Sequence, residues 1–437
     1  MNIFYEMASR LGFYKDVKNC LLKGFTPCAV TGVSNIHKAQ TAMALSRLSP
    51  CLVICDDEAS AIRMTGDINE MAGEQLACVF PAKDLNFAYM EGVSREYEHK
   101  RLEALSLITQ GKCKIIAASM EACLQGTIPQ DKLKEFSFEI KTGGELSLEE
   151  LTNKLLAGGY TRTDQVEGQA QFSVRGSIAD IFPVQESRPV RIELWGDEVV
   201  DLRYFDNETQ KSIEKIKEFE ILPVHKFVLK SPLPPFDKGG NPAENPPFIN
   251  DFKKLSPELA EQLEQEGYFE GIDVYQSYFN PDLVSVLDYF KDYIIITDET
   301  AEVYSRFETL DAGYETQIAE NLKLGLHYEL KDKNHVLFEE FIQKLAGFVK
   351  IGFNNFLDDE LDEIVEFNTL PLKNFEANLD EIAEFIKNPS TASGGPPPFS
   401  KGGLRDYGIV IATDYKERVK EILKEREVFK LITFTDS

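Results

Sequence analysis

The segment TGVSNIHKAQT, residues 31–41, follows an apolar run and leads into a helical stretch. That is the setting in which a loop wraps the phosphates of a nucleotide. A working loop reads G-x-x-x-x-G-K-[ST]. Its second glycine lets backbone N–H groups close on the phosphates, its lysine reaches them, and its hydroxyl ligates magnesium. Here Gly32 and Lys38 keep their places, but His37 stands at the second glycine and Ala39 at the hydroxyl. Thr41 lies two residues further on, which turns it to another face of the helix. The acidic pair that would hold magnesium and activate water is present at Asp298 and Glu299, after the buried-strand run YIIIT. With the loop crowded and the hydroxyl missing, ATP hydrolysis is not expected, and Asp298-Glu299 reads as a relic at a strand end.

Other catalytic constellations are weak. The five histidines share no metal-ligand spacing, and no serine lies in a nucleophile-elbow motif. Neither metal nor covalent catalysis is expected. All seven cysteines fall between Cys20 and Cys123 without a CxxC pair, and Cys51 and Cys55 sit in the apolar run CLVIC. They read as buried thiols in a reducing, cytoplasmic protein. The net charge of −26 opposes autonomous binding to a phosphate backbone, so DNA binding is expected to be weak or absent. That acidity is uneven: residues 151–226 hold ten basic and thirteen acidic side chains, so most of the excess lies elsewhere. No apolar run has the roughly 18 residues needed to span a bilayer, and no membrane association is expected.

A second chemistry is carried by arginines at strand spacing. In QFSVRGSIADIFPV and PVRIELWGDEVVDLRYFDNET, apolar and polar residues alternate with the period of half-buried strands, and Gly196-Asp197 reads as a hairpin turn. The pattern predicts a compact antiparallel sheet with one face packed inward and Arg175, Arg191 and Glu193 in water on the other. A guanidinium there can make bidentate bonds to a carboxylate partner, and Arg175 is the first candidate for such a contact. For any single exposed arginine, a merely solvated sheet face is the simpler account.

The elements that position these residues fall into blocks. Residues 1–145 alternate short apolar runs with helical stretches, which indicates an α/β layer with a mostly parallel sheet. Residues 146–230 are β-rich and open with the helical stretch LSLEELTNKLLAGGY, ending at a glycine pair. Residues 231–246 are Pro/Gly-rich, 247–325 return to α/β texture, and 326–437 read as a further small acidic α/β domain with a Pro/Gly-rich insertion near 390–403. Both insertions contain a PPF-x-KGG core, Pro234 to Gly240 and Pro397 to Gly403, whose composition suits surface loops.

The strings VRGSIADIFPV, PVRIELWGDEV and LRYFDNETQKS, with the lead-in GGYTRTDQVEGQAQF, resemble the domain shared by the excision-repair protein UvrB and the transcription-repair coupling factors (Mfd). The amino-terminal UvrB-like region of the coupling factors is the closer likeness. The resemblance implies a degenerate P-loop (RecA-like) α/β domain interrupted by a β-rich UvrA-docking domain and then resumed, so that residues 1–145 and 247–325 pack together, followed by a small α/β domain. It implies UvrA as partner, with Arg162, Phe182 and Arg203 joining Arg175 in the contact, although Phe182 could equally be core.

UvrB also inserts a long aromatic hairpin to clamp damaged DNA. The run FPAKDLNFAYMEGVSREYEHKRLEAL, Phe80 to Leu105, offers only Phe87 and Tyr89 and is expected to lack it. Full-length coupling factors add an ATP-driven DNA translocase and a domain that grips RNA polymerase, whose motifs are not found here. A non-catalytic recruitment module that uses no cofactor itself is therefore expected, with ATP and magnesium left to the motor. RNA polymerase would be reached only through those other domains. The alternatives are an ATP-dependent helicase relative and a stand-alone damaged-DNA binder.

Overall fold

A computed structural model of the chain describes residues 2–82 apart from 11 and 25, 96–225, 256–266, 283–323, 338–354, 363–366 and 416–425, with isolated positions between these stretches. The strands are β1 (Cys28–Thr31), β2 (Cys51–Cys55), β3 (Ala77–Phe80), β4 (Ile115–Ser119), β5 (Phe138–Lys141), β6 (Thr161–Arg162), β7 (Gln171–Arg175), β8 (Ile178–Ile181), β9 (Val190–Trp195), β10 (Glu198–Phe205), β11 (Ser212–Lys215), β12 (Glu218–Ile221), β13 (Ile294–Asp298), β14 (Val349–Asn354) and β15 (Glu363–Glu366).

Seven of them form one parallel sheet in the order β15-β1-β14-β13-β2-β4-β3. Strands β2, β4 and β13 are buried at every position, as expected of a parallel sheet covered by helices on both faces. Alternate residues of one strand therefore enter two different cores. Cys51, Val53 and Cys55 pack with Met43 and Leu45 of the helix Asn35–Leu45 and Met64 and Ile68 of the helix Glu58–Ala72. Leu52 and Ile54 pack with Leu105 of the helix Glu96–Thr109, Phe307 of the helix Thr300–Lys323 and Phe341 of the helix Phe338–Leu345. All seven cysteines are free and buried in this framework.

Two boundaries expected from the sequence are redrawn. Residues 338–354 and 363–366 do not belong to a separate domain: β14 lies between β1 and β13 inside the first sheet, and β15 forms its edge against β1. Phe338 and Phe341 pack on Phe307, the first with ring centroids 4.2 Å apart. A short apolar strand carries no mark of which parallel neighbour it will take, because the crossover decides that. The β-rich unit also begins earlier than residue 146. Strand β5 pairs antiparallel with β12, and Ile140 shares a core with Leu151, Phe172 and Ile192.

The chain leaves the parallel sheet after β4 and rejoins it at β13, which lies between β14 and β2. The excursion holds a six-stranded sheet in the order β11-β10-β9-β8-β7-β6. Its inner face, with Phe172, Ala179, Ile181, Val190, Ile192, Leu194 and Leu202, packs on Leu151 and Leu155 of the helix Leu148–Ala157. Ser147 caps that helix by accepting a hydrogen bond from the Glu150 amide at 3.1 Å. The predicted hairpin joins β9 to β10, with Gly196 at φ 63°. Ser106 and Gln110 of the parallel unit donate to the Glu220 carboxylate at 3.0 and 2.5 Å, which ties the two units together. Residues 83–95, with Phe87 and Tyr89, and both PPF-x-KGG segments lie outside the described residues. Among the described residues no helix is long and apolar enough to cross a membrane.

Strand β14 passes close to the start of the helix Thr300–Lys323: a Cβ added at Gly352 would stand 2.5 Å from Thr300 Oγ1. Gly352→Ala is therefore expected to destabilise the chain by about 1–3 kcal/mol through overpacking, measured by urea unfolding. Stability equal to the parent would refute that close approach.

Candidate docking face and the loop after β1

Strand β1 ends at Thr31, and Gly32 turns the chain at φ 73° into the helix Asn35–Leu45. The helix begins too early for a phosphate cradle. The amides of His37 and Lys38 both donate to the Ser34 carbonyl at 2.9 Å, so they close the first helical turn instead of converging on an anion. Ser34 Oγ lies 2.7 Å from His37 Nδ1, and burial lowers the pKa of that imidazole. Ala39 is fully buried. Thr41 Oγ1 donates back to the His37 carbonyl at 2.7 Å, so its hydroxyl is turned into its own helix.

The structure brings Lys38 to Asp298 and Glu299, and what they make is a closed ion pair. Lys38 is 3% exposed, with Nζ 2.6 Å from Asp298 Oδ1 and 2.6 Å from Glu299 Oε1. Burial by itself would depress the lysine pKa, but the hydrogen bonds to the two carboxylates outweigh it and hold the pKa above the ordinary value. Glu299 sits at φ 59°, and its amide donates to the Phe353 carbonyl at 2.8 Å. The next amide, of Thr300, donates to Asn354 Oδ1 at 3.1 Å. Asp298 and Glu299 are thus not idle at a strand end: they neutralise a buried cation. Asn354 and Thr300 had no sequence signal, since their part is to hold the backbone that aims the acids.

The outer face of the six-stranded sheet is assembled by cross-strand register. Ser173, Asp180, Arg191, Arg203 and Lys215 stand opposite one another on β7 to β11, and Arg175, Ile178, Glu193 and Asp201 form the next row. The expectation that Arg175, Arg191 and Glu193 lie alike in water is corrected here. Arg191 has a side chain only 14% exposed, bonds both oxygens of Asp180 at 2.6 and 2.8 Å, and lies 4.4 Å over the Phe205 ring. Glu193 and Asp201 both pair with Arg203. Arg175 alone of the three arginines on this face is open, with a side chain 56% exposed and one contact to Asp180 at 3.0 Å.

The remaining candidates are less uniformly placed. Phe182 is half-buried just past β8, its amide bonded to the Gln171 carbonyl, which continues the outer row. Arg162 is exposed on the edge strand β6 in register with Phe172, which gives it the opposite parity from Arg175. Trp195, 81% exposed on β9, and Asp180 were not singled out from the sequence. The signal for Asp180 was a lone acid in the apolar run IADIF flanked by strands that each carry an arginine, legible only once their register is known.

With this geometry in hand, comparison with known proteins decides the nature of the β-rich unit. Residues 138–227 match the UvrB interaction domain. The matched span opens at β5, where the structure also begins this unit. Arg162, Arg175, Phe182 and Arg203 lie inside the interaction domain, whereas Lys38, Asp298 and Glu299 lie outside it. The chain is also similar to transcription-repair-coupling factors well beyond the interaction domain. It is 26% identical to that of Bacillus subtilis (strain 168) over 71% of this chain and 28% of the relative. It is 24% identical to that of Staphylococcus aureus (strain MRSA252) over 94% of this chain and 34% of the relative. The chain therefore spans about a third or less of the length of these relatives.

Removing the Lys38 ammonium leaves two carboxylates facing each other in a buried site. Lys38→Met is expected to cost about 3–5 kcal/mol in urea unfolding, as for other buried pairs broken from one side. Because the folded-state pKa is raised, this contribution is present at neutral pH and is lost as pH rises from the ordinary lysine value of 10.5 through the raised one. The gap between parent and variant should therefore narrow above that pH, and a pH-independent gap would contradict the ion-pair origin.

Proposed function

We propose that the chain is the non-catalytic, UvrB-like amino-terminal module of a transcription-repair coupling factor, working in the bacterial cytoplasm. Its interaction domain docks UvrA and so recruits nucleotide excision repair to stalled RNA polymerase. The observation that carries this reading is an interaction domain whose outer face leaves Arg175 open for a partner carboxylate while its neighbours are paired internally. The similarity to transcription-repair-coupling factors supports the coupling role. Contact with RNA polymerase belongs, on this reading, to parts of those factors beyond the matched stretch.

The loop after β1 supports a module without nucleotide chemistry of its own. A phosphate arriving there would meet amides already engaged in a helical turn and a lysine already held by two carboxylates. The net charge of −26 supports a protein partner over a nucleic-acid one.

Two measurements test the reading. Arg175→Ala combined with Arg162→Ala is expected to weaken UvrA binding by about 2 kcal/mol or more, roughly 30-fold, if these are interface hot spots. Unchanged affinity would refute the docking assignment. Magnesium-ATP is expected to leave the melting temperature unchanged, and a saturable rise would revive an ATPase.

A further inference from the structure

Three arginines of the docking face touch carboxylates, but they are not equivalent. Arg203 is held between Glu193 and Asp201 with a largely buried side chain. Arg191 is held by Asp180, by Gln210 Oε1 at 2.9 Å and by the Phe205 ring, which leaves it little to offer a partner. Arg175 uses only Nη2, in one bond of 3.0 Å to Asp180 Oδ2. Its other guanidinium donors make no hydrogen bond among the described residues.

Asp180 is the point where two of these arginines meet. It lies in β8 between β7 and β9, is 2% exposed, and spends Oδ1 on Arg191 and Oδ2 on Arg191 and Arg175 together. One carboxylate facing two guanidinium groups leaves one positive charge uncompensated. Arg191 is enclosed, so that charge is presented to solvent by Arg175. A long side chain fixed at one edge also loses less rotamer freedom when a partner binds the other.

We infer that Asp180 is a positioning residue for docking: it holds Arg175 at the surface with a free guanidinium edge, which takes a carboxylate of the partner in a bidentate bond. This rests on the UvrA-docking reading. The site would take an acidic side chain of the partner, completing a chain of alternating charges that starts at Arg191. A lysine at 175 could not serve, since a single ammonium lacks the planar fork that bonds Asp180 on one edge and a second carboxylate on another.

The experiment measures the affinity of the full chain for purified UvrA, with thermal melts on every variant. Asp180→Asn is expected to weaken binding about tenfold and to add nothing in an Arg175→Ala background, because both changes remove the same contact. Arg175→Lys is expected to lose about as much as Arg175→Ala. That substitution is exposed and leaves the Arg191–Asp180 pair intact, so it carries the test if Asp180→Asn fails to fold.

The inference is overturned if Asp180→Asn binds as tightly as the parent or more tightly, if its loss persists on the Arg175→Ala background, or if Arg175→Lys binds like the parent. If Arg175→Ala and Arg162→Ala both leave binding unchanged, the docking reading itself fails. If those two weaken binding and Asp180→Asn does not, docking stands and only the role of Asp180 is lost.

Discussion

Parallel strands cannot be joined by a tight turn; the chain must leave the sheet and return, and the length of the excursion is almost free. Closure entropy grows only logarithmically with loop length, so a crossover can hold a helix or a whole domain. In this molecule the crossover between β4 and β13 holds the interaction domain, and the sheet is completed only by strands that follow it. The two ends of that excursion are anchored by β2, buried at every position and paired with β4 on one side and β13 on the other. The charge cluster beside the loop after β1 depends on this closure, because it carries Asp298 and Glu299 to Lys38; the helix Glu96–Thr109 meets the inserted unit at β12, where Ser106 bonds Glu220.

Two charge clusters are built on opposite ratios, one by that closure and one by the register of β7, β8 and β9. At the end of the parallel sheet two carboxylates hold one buried ammonium. On the six-stranded sheet one buried carboxylate serves two guanidinium groups, of which Arg175 is the exposed one. Charges taken out of water must find partners close by. Lys38 is enclosed together with both of its partners, whereas one of the two partners of Asp180, Arg175, reaches solvent.

Much of the β-rich unit was legible from its residues. Alternation in Val190–Leu194, the Gly196-Asp197 turn and the second run to Phe205 correspond to β9, its turn and β10. Burial fails the alternation at Ser173, which is enclosed and donates to the Asp164 carbonyl at 2.9 Å, and at Arg191, whose charge is cancelled by Asp180. A polar residue reads as exposed until its partner is known, and that partner lies on another strand. Residues 349–354 read as part of a separate domain for a related reason: only the pairing of β14 with β1 and β13 makes it part of the first sheet.

The sequence by itself determined local features: the strands and hairpin of the run from Gln171 to Phe205, that His37 and Ala39 stand where a phosphate loop would need a glycine and a hydroxyl, and that an interaction-domain signature occupies the middle of the chain. These follow from periodicity and residue type within a few positions. The tertiary structure alone decided that Lys38 is locked by acids 260 and 261 positions away, that β14 runs through the first sheet, and that of three arginines on one face only Arg175 is left open. The reason is physical: the state of a buried charge and the neighbour of a parallel strand are set by what folding brings beside them, and neither is written next to them in the chain.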